Sequence, residues 1–187
     1  MKTIQVRVKR RKILADIITP VSIYLKIRDI FPNSLLLESS DYHSKENSYS
    51  FICLDPVAGF RALDREVQID LPEGQTVTGS LDDGQGLVKQ LEEFIAAFRL
   101  EAEEDSLMVD GVFGYCTYDA VEYFEEIRFT SPLPDKERIP QVRYDFFRFV
   151  LAINHLTNEL ILYEHLVNGR ESEIDRVTNL LYNSNIA

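Results

Sequence analysis

Two apolar runs flank a polar stretch near the start of the chain. Leu35-Leu36-Leu37 leads into Glu38-Ser39-Ser40, and Tyr49-Ser50-Phe51-Ile52-Cys53-Leu54 leads into Asp55-Pro56. Both runs suit strands and both are bounded by turn-formers, so they predict a strand pair with a polar connection. Upstream, Thr3 to Arg11 alternates, with Ile4, Val6 and Val8 on one face and Gln5, Arg7 and Lys9 on the other, which predicts a half-buried strand. Thr19-Pro20 predicts a helix start, since Thr19 can cap free amides and proline needs no donor in the first turn. Val21, Tyr24, Leu25 and Arg28 recur at helical spacing, Ile27, Ile30 and Phe31 widen the apolar side, and Pro32-Asn33 ends the helix.

Further along, Gly59 to Leu71 predicts a hairpin turning at Asp64-Arg65, and Pro72 to Gly86 reads as a loop. Leu87 to Leu100 predicts an amphipathic helix with Leu87, Leu91, Phe94, Ile95 and Phe98 on its stripe. Glu101 to Asp105 reads as an exposed linker, so a break between layers is expected near 101–106. Leu107 to Tyr118 predicts a strand in which Gly111 and Gly114 allow close backbone approach, followed by a short helix from Asp119 to Ile127. Gln141 to His165 predicts two long strands turning at Leu156 to Glu159. The first is apolar on both faces, as a strand between two layers would be. Glu171 to Leu181 predicts a last helix with Ile174, Val177 and Leu181 inward. The fold class expected is α+β, a mostly antiparallel sheet with helices packed on it.

Length and charge narrow the function. A chain of 187 residues, 45% apolar and 27% charged, is expected to be soluble and to form one domain, or one and a small extra. A net charge of −11 leaves no basic surplus for neutralising phosphates and argues against nucleic acid as a partner. The basic run Arg7, Lys9, Arg10, Arg11 and Lys12 reads as a solvated edge strand protected against mispairing. Cys53 and Cys116 sit in apolar runs and read as buried free thiols. With no signal peptide and no membrane-length apolar stretch in the sequence, a cytoplasmic location is expected.

Candidate chemistry is sparse. His43, His155 and His165 have no zinc spacing with the cysteines, and the last two, flanking one hairpin, could face each other or be satisfied structurally. Glu122, Glu125 and Glu126 read as a solvated helix face in preference to a metal cluster. No catalytic constellation is visible. The unusual feature is Glu38-Ser39 at the end of a core-like run, since burying a carboxylate is costly unless it is paired. Either Leu37 ends the buried part and Glu38 faces water, or Glu38 and Ser39 form a polar pocket for a ligand ammonium group.

The stretch Asp16 to Lys26, then Leu36-Leu37-Glu38-Ser39, then Tyr49-Ser50-Phe51-Ile52 and Asp55-Pro56 resembles the N-terminal region of anthranilate synthase component I. Weaker matches follow at Gly111-Val112-Phe113-Gly114-Tyr115, at Tyr118-Asp119, and from Phe149 to His165. The resemblance implies the N-terminal part of a larger two-sheet α/β sandwich, a single incomplete domain over 1–187 whose catalytic, chorismate-binding region is absent. It implies that Glu38, Ser39, Tyr49 and Ser50 line a site for tryptophan, the feedback effector, although Tyr49 stands where family members carry a basic residue. The complete enzyme would be a magnesium-dependent lyase making anthranilate and pyruvate from chorismate. Its ammonia would come from glutamine through a glutamine amidotransferase subunit, component II. This chain alone would carry no catalytic residue, metal or cofactor, and an incomplete fold is expected to self-associate. Two alternatives are component I of 4-aminobenzoate synthase and a stand-alone amino-acid-binding module.

Overall fold

The structure, a computed structural model, describes residues 1–15, 19–38, 48–81, 84–101, 111–129 and 139–183. Among them nine strands form one hydrogen-bonded sheet and three α-helices accompany it. The strands are β1 (Ile4–Leu14), β2 (Leu35–Glu38), β3 (Tyr49–Leu63), β4 (Glu66–Leu71), β5 (Gln75–Ser80), β6 (Phe98–Glu101), β7 (Phe113–Cys116), β8 (Val142–Asn154) and β9 (Glu159–Val167). The helices are α1 (Pro20–Ile27), α2 (Gly84–Ala96) and α3 (Ile174–Asn183). The hydrogen-bonded order is β5-β4-β3-β8-β9-β1-β6, with β2 on β3 and β7 on β8. The registered pairs are antiparallel, which agrees with the α+β expectation.

The chain divides into two compact units. One comprises Met1–Ile4, Val57–Arg99 and Gly111–Phe146, the other Gln5–Pro56, Leu100–Asp110 and Phe147–Ala187. The layer break expected near 101–106 lies, from residue 102 on, outside the described residues.

In the first unit the β3–β4 hairpin turns at Asp64 and Arg65, both at positive φ (51° and 65°). A two-residue hairpin turn needs that geometry, and a non-glycine residue there is strained. Arg65 is held in place as its Nε donates to the Leu81 carbonyl at 2.9 Å and its amide to the Tyr123 hydroxyl at 3.3 Å. Phe94 of α2 meets Phe60 of β3, with ring centroids 5.9 Å apart, and meets Phe98 at 5.3 Å; Phe98 stacks on Phe146 at 4.2 Å. Each such fully buried ring contributes about 1.5–3 kcal/mol relative to exposure.

The second unit has its own core. α1 opens with the predicted cap, a reciprocal pair in which the Ser22 amide donates to Thr19 Oγ1 and the Thr19 amide to Ser22 Oγ, both at 3.1 Å. Ile23, Ile27 and Phe31 then pack with Ile52, Leu54, Phe149, Leu151 and Leu162, and Ile174, Val177 and Leu181 of α3 complete the cluster. The predicted inward face of α3 is therefore correct.

Several expectations need correction. Val21 and Leu25 are exposed, because the buried stripe of α1 is Ile23-Ile27-Phe31, and the helix stops at Ile27. β3 does not end at Asp55-Pro56 but runs through them. Asp55 takes a positive φ of 57°, a local kink of the kind that admits a proline with no amide to donate. Residues 75–80 form strand β5, paired along β4; its side chains are exposed and polar apart from Val77, so no apolar alternation signalled it. Phe98 belongs to β6, not to the helix, and Ile95 is exposed. A 3₁₀ turn at Tyr118–Tyr123 replaces the helix expected through Ile127. β1 is not an edge, since it lies between β9 and β6. β8 is covered on both faces, with Phe149 and Leu151 on one side and Val150 and Ala152 on the other all buried. Cys53 is buried and its thiol is pushed up by desolvation, whereas Cys116 is exposed.

Gly114 shows why β7 and β8 pair so closely. A Cβ built there would lie 1.9 Å from the Arg143 carbonyl oxygen, so one strand or the other must move. Replacing Gly114 by Ala should cost about 1–3 kcal/mol, as overpacking does. Gly111→Ala, where nothing lies within 4 Å, should be close to neutral. Urea denaturation of the two variants checks the contrast.

Candidate functional site

The register of β2 on β3 decides which of the four predicted effector residues meet. Leu36 pairs with Ile52, Leu37 with Phe51 and Glu38 with Ser50. Residues directly opposite share a face and successive residues alternate. Glu38 and Ser50 therefore lie on the face that carries Leu36 and Ile52. Tyr49 lies on the other face and stacks on Phe51, with centroids 6.1 Å apart. Glu38 is exposed, Tyr49 half-buried and Ser50 fully buried. Ser39 lies outside the described residues. So Glu38 and Ser50 come together, and the Tyr49 side chain is turned away from both.

The partners of Tyr49 and Ser50 come from the turn between β8 and β9. His155 Nε2 and Ser50 Oγ share a hydrogen bond at 2.7 Å. The His155 amide donates to the Ser48 carbonyl at 3.0 Å, and Asn154 Nδ2 donates to the Tyr49 hydroxyl at 2.9 Å. Asn154 Oδ1 accepts from the amides of Leu156 and Thr157, which fixes the turn that presents both residues. Sequence reasoning left His155 and His165 either facing each other or satisfied structurally, and each ring has a separate hydrogen-bond partner. The two do not meet, because His165 is buried with Nδ1 on the Phe147 carbonyl at 2.7 Å. No spacing signal links positions 50 and 155; only the fold brings them together.

A second cluster is ionic. Arg148 donates through Nε and Nη2 to Glu164 Oε1 (3.2 and 3.0 Å), through Nη1 to Glu173 Oε1 (2.9 Å) and through Nη2 to the Glu171 carbonyl (2.9 Å). Glu164 is fully buried and also accepts from the Ser172 hydroxyl at 2.6 Å and the Glu173 amide at 2.8 Å. Glu173 is held below the usual carboxylate range, first by the hydrogen bond from Arg176 and then, against partial desolvation, by Arg148. These donors and acceptors are engaged with one another, so the cluster clamps the segment before α3 to the sheet and offers no acid–base pair.

A cavity of about 660 Å³ opens over the β3–β4–β5 meander, lined among others by Arg61, Glu66, Gln68, Thr78 and Ser80. Arg61 is already paired with Asp70, and no predicted effector residue lines the cavity. Between β7 and β8, Cys116 Sγ and the Tyr144 hydroxyl lie 3.5 Å apart; that bond, with burial, pushes the phenol up to about 12. Among the described residues no group of three or more His, Cys, Asp or Glu is arranged to hold a metal ion, and no helix is long and apolar enough to cross a membrane.

No family model matches the chain. Curated proteins named anthranilate synthase component 1 do. That of Pseudomonas aeruginosa is 34% identical over 79% of this chain and 29% of its own length. That of Thermus thermophilus is 32% identical over 90% of this chain and 34% of its own length. That of Lactococcus lactis is 24% identical over 88% of this chain and 34% of its own length. The resemblance read from the sequence is thus borne out, and the chain is related to anthranilate synthase component 1. It spans about a third of the length of the curated relatives it matches.

The ionic clamp yields a prediction. Arg148→Ala leaves Glu164 buried without its cation, a change that typically costs about 3–5 kcal/mol, a large fraction of the roughly 5–15 kcal/mol by which a domain is stable. Thermal melting should show a large drop, and Arg148→Met should be no better, because Glu164 remains unpaired.

Proposed function

We propose that this chain is the regulatory N-terminal portion of an anthranilate synthase component I and contributes its tryptophan feedback site. The observation that carries the reading is the similarity to proteins of that name across most of this chain. The register that pairs exposed Glu38 with buried Ser50 supports it, because a carboxylate held at a strand end by a buried ladder partner suits an amino-acid ammonium group. In this reading Glu38 faces the ammonium, and Ser39 donates or accepts at the ligand's polar end. Ser50 supports the strand, and Tyr49, bonded to Asn154 on the opposite face, acts on the pocket only through the backbone.

The complete synthase, a cytoplasmic lyase of tryptophan biosynthesis, converts chorismate and glutamine-derived ammonia into anthranilate and pyruvate. It works with magnesium and with component II as the glutamine amidotransferase. In this reading the segment plays a supporting role, and the acid–base and metal chemistry belongs to the rest of that enzyme. The purified chain should therefore make no anthranilate from chorismate, ammonia and magnesium, as read by anthranilate fluorescence. Since β8 is covered on both faces, self-association of the isolated chain falls to exposed apolar groups such as Tyr118, Phe124, Ile127 and Phe129.

The effector role is tested by Ser39→Ala in the complete synthase. Loss of a hydrogen bond to a charged ligand group costs about 1.5–3 kcal/mol, so the half-inhibiting tryptophan concentration should rise roughly 10–150-fold. Unchanged inhibition would remove Ser39 from the site.

A further inference from the structure

The bond between His155 and Ser50 has a directional consequence. A neutral imidazole has one donor and one acceptor nitrogen, so Nε2 can accept the Ser50 proton or donate to the Ser50 oxygen. A protonated imidazole can only donate. At 2.7 Å the pair is a close hydrogen bond, and the Ser50 side chain is fully buried while His155 is exposed to solvent protons. The charge state of a surface ring is thereby transmitted to a buried hydroxyl directly across the ladder from Glu38.

We propose that His155 is a positioning residue of the effector site: acting through Ser50, it makes the grip on an amino-acid effector depend on pH. The inference rests on the reading of Glu38 as the group that faces the effector's ammonium. In the tautomer whose Nε2 accepts from Ser50, the gain of a proton by His155 makes Ser50 the acceptor, and its hydroxyl proton must seek another partner. A positive charge also arrives beside Ser50, the ladder partner of Glu38, and opposes the approach of a cationic ammonium group there. Both changes weaken binding on the acid side. Among the described residues, the other titratable or charged groups placed around this turn act differently. Tyr49 on β3 is bonded through its hydroxyl to Asn154, and Glu159 on β9, opposite Asn154, is paired with Lys12 of β1 at 2.5 Å. The amide bond from His155 to the Ser48 carbonyl does not change with protonation, so the turn stays attached while the side-chain bond reverses.

The test is tryptophan inhibition of the complete synthase at about pH 8 and about pH 6, the interval in which an imidazole changes charge, each rate taken relative to the uninhibited rate at the same pH. The half-inhibiting concentration of the wild type should rise about tenfold or more from the higher pH to the lower, the scale of one charge-assisted hydrogen bond. His155→Gln keeps an amide that can bond Ser50 but gains no charge, so its inhibition should change by no more than about twofold over the same interval. His155→Ala should weaken inhibition at both pH values, a loss that the glutamine variant rescues. His155→Asn gives the same readout if the glutamine variant fails to fold. Inhibition of the wild type that is present but flat with pH overturns the inference and leaves the effector reading standing. So does a glutamine variant that keeps the wild-type pH dependence. Absence of tryptophan inhibition at both pH values overturns the effector reading and this inference with it.

Discussion

A strand that is apolar on both faces can persist only if it is covered twice, and β8 is that strand. From Phe146 to Ile153 its side chains are buried whichever way they point. Its backbone edges are satisfied inside the sheet, between β3 and β9, with β7 also paired to it. In the second unit Phe149, Leu151 and Ile153 meet the residues of α1 and α3; in the first, Phe146 lies on Phe98. Apolar burial of this kind is the dominant favourable term in folding, and the other elements are positioned by the need to supply it.

Arg148 is the exception within that strand, and it explains the buried acids around it. A guanidinium inside an apolar layer must be paired and hydrogen-bonded or it is prohibitively costly. Glu164, Glu173 and the Glu171 carbonyl meet that demand together, and in doing so they tie the segment before α3 to β9. Such a network is weak as a source of stability compared with well-packed apolar groups, yet severe when broken. Its value here is geometric: α3 is held where Ile174, Val177 and Leu181 can cover the sheet.

The candidate site depends on the same frame. The turn that closes β8 and β9 is fixed by Asn154 accepting two backbone amides, and the next residue reaches β3. Three hydrogen bonds from this turn hold Ser48, Tyr49 and Ser50, the return strand of the proposed pocket. A site placed at a strand end gains precision from the sheet behind it.

Strand periodicity, the Thr19-Pro20 cap, the Asp64-Arg65 hairpin and the inward face of α3 were legible from residue order alone, because each depends on neighbours within a few positions. The LLES stretch and its relation to anthranilate synthase component I were equally legible, since a motif is a local pattern. Other features required the folded chain. β5 carries little apolar signal and exists because β4 offers it an edge to pair with. Phe98 left its helix because Phe146 gave its ring a stacking partner. The turning of Tyr49 away from Glu38 follows from the register of β2 on β3, and the meeting of Ser50 with His155 from a topology that brings together groups 105 residues apart. Local sequence sets what each segment can become; long-range pairing, whose partners no short window contains, decides which side chains share a face.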